Sequence, residues 1–177
     1  MLDLHELSRR PGSMREGNLV FAAPAELGTV VIAVPEGDEV QVEYRLESVV
    51  EGVLLTGSVA ARAVGECGRC LDKVVEQINA SFQELFYYPE RAKAALEEAS
   101  EDEEEIVVLE DDRIDLEPLL RDSVVFALPF QPLCSPDCPG LCSECGIHLA
   151  DEEDHFHDVV DPRWSALNSM FNETKES

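Results

Sequence analysis

Val40-Gln41-Val42-Glu43-Tyr44-Arg45-Leu46-Glu47 decides the fold class. Apolar and polar residues alternate along it, and a period of two puts one set of side chains on each face of a β-strand. The segment therefore predicts a half-buried strand of an antiparallel sheet. On its N-terminal side, Pro35-Glu36-Gly37-Asp38 closes an apolar run over residues 30–34; on the other, Glu51-Gly52 turns the chain. Residues 53–64 return as the next strand, and Val74, Ile78, Ala80 and Phe82 lead a further one away. The tip of that hairpin is Cys67-Gly68-Arg69-Cys70. A ladder holds such a tip rigidly enough to present two thiolates to distant chain.

The other four cysteines crowd into Cys134-Ser-Pro-Asp-Cys138-Pro-Gly-Leu-Cys142-Ser-Glu-Cys145-Gly146, so all six thiols of the chain lie in two stretches. A C-x-x-C turn delivers two sulfurs to one tetrahedral ion while its backbone N–H groups point at them, which makes zinc the expected cofactor. Disulfides or a thioredoxin-like redox motif are the competing readings, and neither a signal peptide nor a βαβ pattern accompanies these cysteines. One ion needs four ligands and would leave two thiols over. Asp154-His155-Phe156-His157-Asp158 offers two imidazoles on one face of an extended segment. Two closed sites then result: Cys67, Cys70, Cys134 and Cys138 in one, and Cys142, Cys145, His155 and His157 in the other. Two rival divisions stay open, one joining Cys67 and Cys70 to Cys142 and Cys145, the other keeping the four downstream thiols together. His155 and His157 also admit a plain reading as members of a solvated acidic loop.

The remaining chain divides by composition. Residues 1–18 are a basic N-terminal segment with Arg9, Arg10 and Arg15; Leu4 to Ser8 suit one helical turn before Pro11-Gly12, with a loosely ordered end as the plain alternative. It has no continuous apolar stretch for a secretory signal or membrane span, so a cytoplasmic location is expected. Residues 19–88 form the antiparallel β region carrying the first C-x-x-C. Residues 89–112 hold a short helix and a carboxylate-crowded linker, whose like charges favour solvated chain over an acid–base pair or an EF-hand. Residues 113–160 begin with a helix over residues 114–128, capped by Asp115 and stopped by Pro129, and continue into the Cys/His-rich segment. Residues 161–177 predict a C-terminal helix, with Pro162 in its first turn and Trp164, Leu167, Met170 and Phe171 on one face. The fold class is α+β: an antiparallel sheet or partial barrel in the N-terminal half, packed helices, and a cysteine-rich zinc-binding C-terminal segment.

The 177 residues carry 13 basic against 38 acidic side chains, a formal charge of -25. Polyanion binding draws its affinity from basic groups that release counterions, so direct RNA binding is disfavoured. Basic proteins suit this field better. No membrane partner and no small-molecule substrate are indicated.

Cys67-Gly-Arg-Cys70-Leu71, Ile114-Asp-Leu, Ala127-Leu-Pro129, Pro132-Leu-Cys134, Gly140-Leu-Cys142-Ser-Glu-Cys145-Gly146 and Asp161-Pro-Arg163 together resemble the YceD family of large ribosomal RNA subunit accumulation proteins. The resemblance spans nearly the whole chain. It implies a cytosolic role in 23S ribosomal RNA accumulation and large-subunit biogenesis, with no catalytic residues to assign; the acidic charge of the chain, set beside that role, makes basic ribosomal or ribosome-assembly proteins the expected partners. Relatives often carry cysteine where this chain has His155 and His157, a change that keeps ligand chemistry. A non-catalytic factor is thus the leading expectation. A zinc-dependent hydrolase with an open site and a redox-responsive zinc protein are the alternatives. The G-x-S-x-G, H-E-x-x-H, P-loop and Rossmann fingerprints are all missing from the sequence.

Overall fold

The computed structural model describes residues 1–98, 106–152 and 154–157. The expected C-terminal helix over residues 161–177, and the densest part of the acidic linker at residues 99–105, lie outside them. The chain forms two compact units, Met1–Cys134 and Ser135–Ser177.

The first unit is built on β2 (Met14–Ala22), β5 (Glu39–Ser48), β6 (Gly52–Glu66) and β7 (Lys73–Tyr87), antiparallel neighbours in that spatial order. β3 (Leu27–Gly28) and β4 (Ile32–Val34) continue the sheet along the far end of β6, where β4 pairs through Ile32 and Ala33. β1 (Leu2–Asp3) pairs with β9 (Arg113–Ile114), and β8 (Val107–Val108) lies parallel to the end of β7. Two helices complete the described elements, α1 (Pro89–Glu98) and α2 (Glu117–Ala127). The α+β class read from the sequence is therefore found.

The alternation in β5 fixes its inner face: Val40, Val42 and Leu46 are each 1% exposed. Each such side chain contributes roughly 1.5–3 kcal/mol by leaving water. Val53, Leu55 and Val59 of β6 and Ile78, Phe82 and Phe86 of β7 extend the same core. α2 closes over it through Leu120 and Val124. The N-cap is Leu116 rather than the expected Asp115 and makes no side-chain cap bond; Asp115, one residue earlier, accepts the Glu117 N–H at 3.1 Å. Leu128 is extended, because Pro129 clashes with a helical residue before it.

Three expectations need correction. Residues 1–18 are not a loose end: Leu2, Leu4 and Leu7 are core residues, Arg9 pairs with Asp112 at 2.6 Å, and β2 already begins at Met14. Burial of these three leucines in the core ties the terminus down despite its arginines. The apolar run over residues 30–34 is a strand only from Ile32; Val30 and Val31 are exposed. Ile114 belongs to β9 rather than to the helix, and the linker contains β8 and the buried Leu109. Among the described residues, no helix is long and apolar enough to cross a membrane.

Candidate metal centre

The β6–β7 hairpin runs in unbroken register from Gly52↔Tyr87 to Glu66↔Lys73 and carries Cys67 and Cys70 at its tip. The tip is folded for sulfur. The Cys67 N–H donates to the Asp72 carbonyl at 2.7 Å, and the Leu71 N–H donates back to the Cys67 carbonyl at 3.0 Å. Leu71 takes φ 64°, a left-handed conformation that a leucine adopts only under constraint. The Arg69 N–H points at Cys67 Sγ from 3.5 Å. Residues arriving from α2 close on this tip: the Gly68 N–H donates to the Pro132 carbonyl at 2.8 Å, and Cys134 Sγ comes to 3.4 Å from Cys70 Sγ. The sulfurs of Cys67, Cys70 and Cys134 lie within 4.8 Å of one another. Cys67 and Cys70 are buried, Cys134 is exposed, and none of the chain's six cysteines is in a disulfide.

Electrostatics divides these thiols. Burial opposes ionisation of Cys67, yet backbone N–H donors of Cys134, Cys70 and Arg69 outweigh it and bring the thiol down to about 6. Cys70 moves the opposite way. The Asp72 N–H favours its thiolate, but burial and the adjoining Cys67 and Cys134 sulfurs overcome that and raise it well above the ordinary value. Three sulfurs at this spacing cannot all ionise without a cation, which is what a tetrahedral metal supplies.

In the second unit, Cys142 opens a tight turn. Its N–H donates to the Ile147 carbonyl at 2.8 Å, and its carbonyl accepts from the Gly146 N–H at 2.9 Å. Gly146 has φ 73°, which its missing Cβ permits. Leu141 and His148 bridge the two sides of this turn. Cys142, Cys145, His155 and His157 present ligand atoms within 4.8 Å of one another. Cys145 Sγ is 3.2 Å from both His155 Nε2 and His157 Nε2, which stand 3.0 Å apart. The rings meet edge-on at 84°. His155 Nδ1 lies 3.6 Å from Glu152 Oε2, longer than a hydrogen bond, so this carboxylate is a neighbour of the ring and not its anchor. N–H donors of Cys145 and Glu144 lower Cys142 to about 6. Cys138 lies near the start of the same unit, buried, its N–H donating to the Ser135 carbonyl at 3.2 Å.

The donor chemistry fits zinc in both places: soft thiolates in one, thiolates with imidazoles in the other. Asp72 is the functional neighbour that spacing alone missed. It contributes a backbone N–H and its Oδ2, 3.3 Å away, to Cys70, and its only sequence signal is a carboxylate two residues beyond a C-x-x-C.

The fold and site define an α+β protein with a thiol-bearing hairpin and a Cys/His turn, both able to hold a metal ion. The family model described as large ribosomal RNA subunit accumulation protein YceD matches residues 55–171, and the chain belongs to that family. It is 46% identical over 169 residues to an uncharacterized protein of Mycobacterium tuberculosis, covering 96% of this chain and 80% of the relative. A Mycobacterium bovis protein gives the same figures. An uncharacterized Mycobacterium leprae protein is 38% identical over 170 residues, with 96% and 76% covered. No solved structure matches the chain.

Proposed function

We propose that this chain is a non-catalytic cytoplasmic factor that supports 23S ribosomal RNA accumulation and large ribosomal subunit biogenesis through basic protein partners, with two zinc ions as structural clamps. Cys67, Cys70 and Cys134 hold the first ion, and Cys138, four positions beyond Cys134, is its fourth ligand. Cys142, Cys145, His155 and His157 hold the second. The observation that carries this reading is the approach of Cys134 to Cys70, which ties the hairpin tip to chain 64 positions away. A four-ligand site is closed, and a closed site has no coordination position for water or substrate. The charge of -25 supports protein partners over RNA.

The test is binding of the purified, zinc-loaded chain to 23S ribosomal RNA and to individual RNA-free large-subunit proteins across a salt series. Salt-sensitive binding to one or more basic proteins, with none to RNA, is expected. Tight RNA binding without protein overturns the partner assignment.

A further inference from the structure

β2 is an edge strand: among the described strands it pairs only with β5. The bonds beyond its ends set which backbone groups face outward. The Ala23 N–H donates to the Asp38 carbonyl at 2.7 Å, and the Ser48 N–H donates to the Ser13 carbonyl at 2.9 Å. In an antiparallel ladder, bonded pairs recur every second residue, so the odd-numbered positions of β2 bond to β5. The N–H and C=O groups of Asn18, Val20 and Ala22 therefore point away from the sheet.

Folded proteins blunt such edges with proline, lysine, bulges or inward charges. Here Arg15 and Glu16 protect the first half of the strand and Pro24 lies beyond its end, but nothing charged falls between Gly17 and Ala22. Beside this stretch is a cleft of about 580 Å³ between β2 and α2, floored by Phe21, Val40, Val59, Leu120 and Val124. Val40, Val59 and Val124 are buried core residues, whereas Leu19 and Phe21 are only half-buried. The inner face of the sheet is thus one strand short of α2. Val20, on the outer face, is 63% exposed.

We infer that the Asn18–Ala22 edge accepts an extended segment of a basic partner protein, which adds a strand to the sheet and places alternate apolar side chains in the β2–α2 cleft. Main-chain bonds to Asn18, Val20 and Ala22 supply affinity, and the cleft supplies selection. Charge selects the partner. Asp115, Glu117 and Arg121 line the cleft, with Arg121 paired to Glu117 at 3.0 Å and donating to the Glu26 carbonyl at 2.7 Å, so Asp115 and the chain's charge of -25 supply the attraction. A lysine- or arginine-bearing strand is attracted to this edge, and a second copy of the chain is repelled. The inference rests on the proposed action through basic proteins and names the surface that performs it.

The experiment uses the full zinc-loaded chain, the RNA-free large-subunit proteins as probes, and two variants. Val20→Pro removes an outward N–H that β5 does not use, at an edge position where proline is tolerated. Val20→Lys keeps the N–H but sets a cation against a basic strand. Circular dichroism and zinc content verify that each variant is folded. Both are expected to weaken binding by about tenfold or more, and bound partner slows hydrogen exchange at Asn18, Val20 and Ala22. If a protein binds wild type and the folded variants equally, this surface is wrong while the proposed function stands. If no large-subunit protein binds wild type, both fall. Self-association lost in Val20→Pro assigns the edge to a second copy and overturns the inference.

Discussion

Cys70 Sγ and Cys134 Sγ lie 3.4 Å apart, joining a hairpin tip to the chain that leaves α2. A disulfide would bring them to about 2.05 Å, whereas two corners of a tetrahedron with Zn–S bonds near 2.3 Å lie roughly 3.8 Å apart. The observed separation is close to the second figure. The backbone is arranged for it, since the Gly68–Pro132 hydrogen bond brings the same two segments together independently of sulfur.

Cys134→Ser should remove one zinc ion per chain and leave the other. Cys134 is exposed, so the change opens no cavity and its effect reports the metal. Losing the ion that joins hairpin to helix should lower Tm by roughly 10 °C, a few kcal/mol for a chain of this size. Elemental analysis and calorimetry check this, and an unchanged metal count would remove Cys134 from the ligand set.

The second site should surrender its ion first. Cys145 and His157 are exposed, while Cys67 and Cys70 are buried at the first. A chelator reaches exposed ligands sooner, and imidazoles compete with protons where buried thiolates are shielded. In cobalt-substituted protein, the spectrum of the two-sulfur, two-nitrogen site should decay before that of the sulfur-only site. Simultaneous loss would mean that the two behave as one.

Much of this arrangement was legible before the structure. The alternation through Val40, Val42 and Leu46 gave β5 because one face of a sheet must be buried, and Cys67 and Cys70 fell at a hairpin tip because strands flank them on both sides. The burial of Leu2, Leu4 and Leu7 was not legible. Three leucines among arginines have no local period, and their partners β9 and Leu109 lie over 100 positions away. The left-handed Leu71 carried no signal either, since the knuckle rather than the residue's own preference imposes it.

Removing metal should make stability depend on pH around the first site. Cys67 is depressed to about 6, so its contribution is present above the unfolded thiol value, near 8.5, and is lost as pH falls towards 6. Cys70 is raised, so its contribution is present below the unfolded value and is lost as pH rises beyond it. The metal-free chain should therefore gain urea resistance from pH 6 towards about 8.5 and lose it at higher pH. Cys67→Ser should flatten the rising limb; a rise of the same size in that variant would assign the titration to another group.

Gly57 sits in one cross-strand row between Tyr44 and Phe82. A Cβ there would lie 2.5 Å from the Glu43 carbonyl oxygen and 2.6 Å from the Phe82 ring. The ring can turn aside but the backbone oxygen cannot, so the strand itself must shift. Gly57→Ala should cost about 1–3 kcal/mol as overpacking, while Ser58→Ala on the exposed outer face should stay within about 0.5 kcal/mol. Neither Gly57 nor Ser58 belongs to a cysteine cluster, so zinc content should be unchanged in both variants. Urea titration with metal analysis separates the effects. A Gly57→Ala chain as stable as wild type would show that β5 and β6 can part at this row without loss, and that the sheet does not hold the hairpin as rigidly as the metal geometry requires.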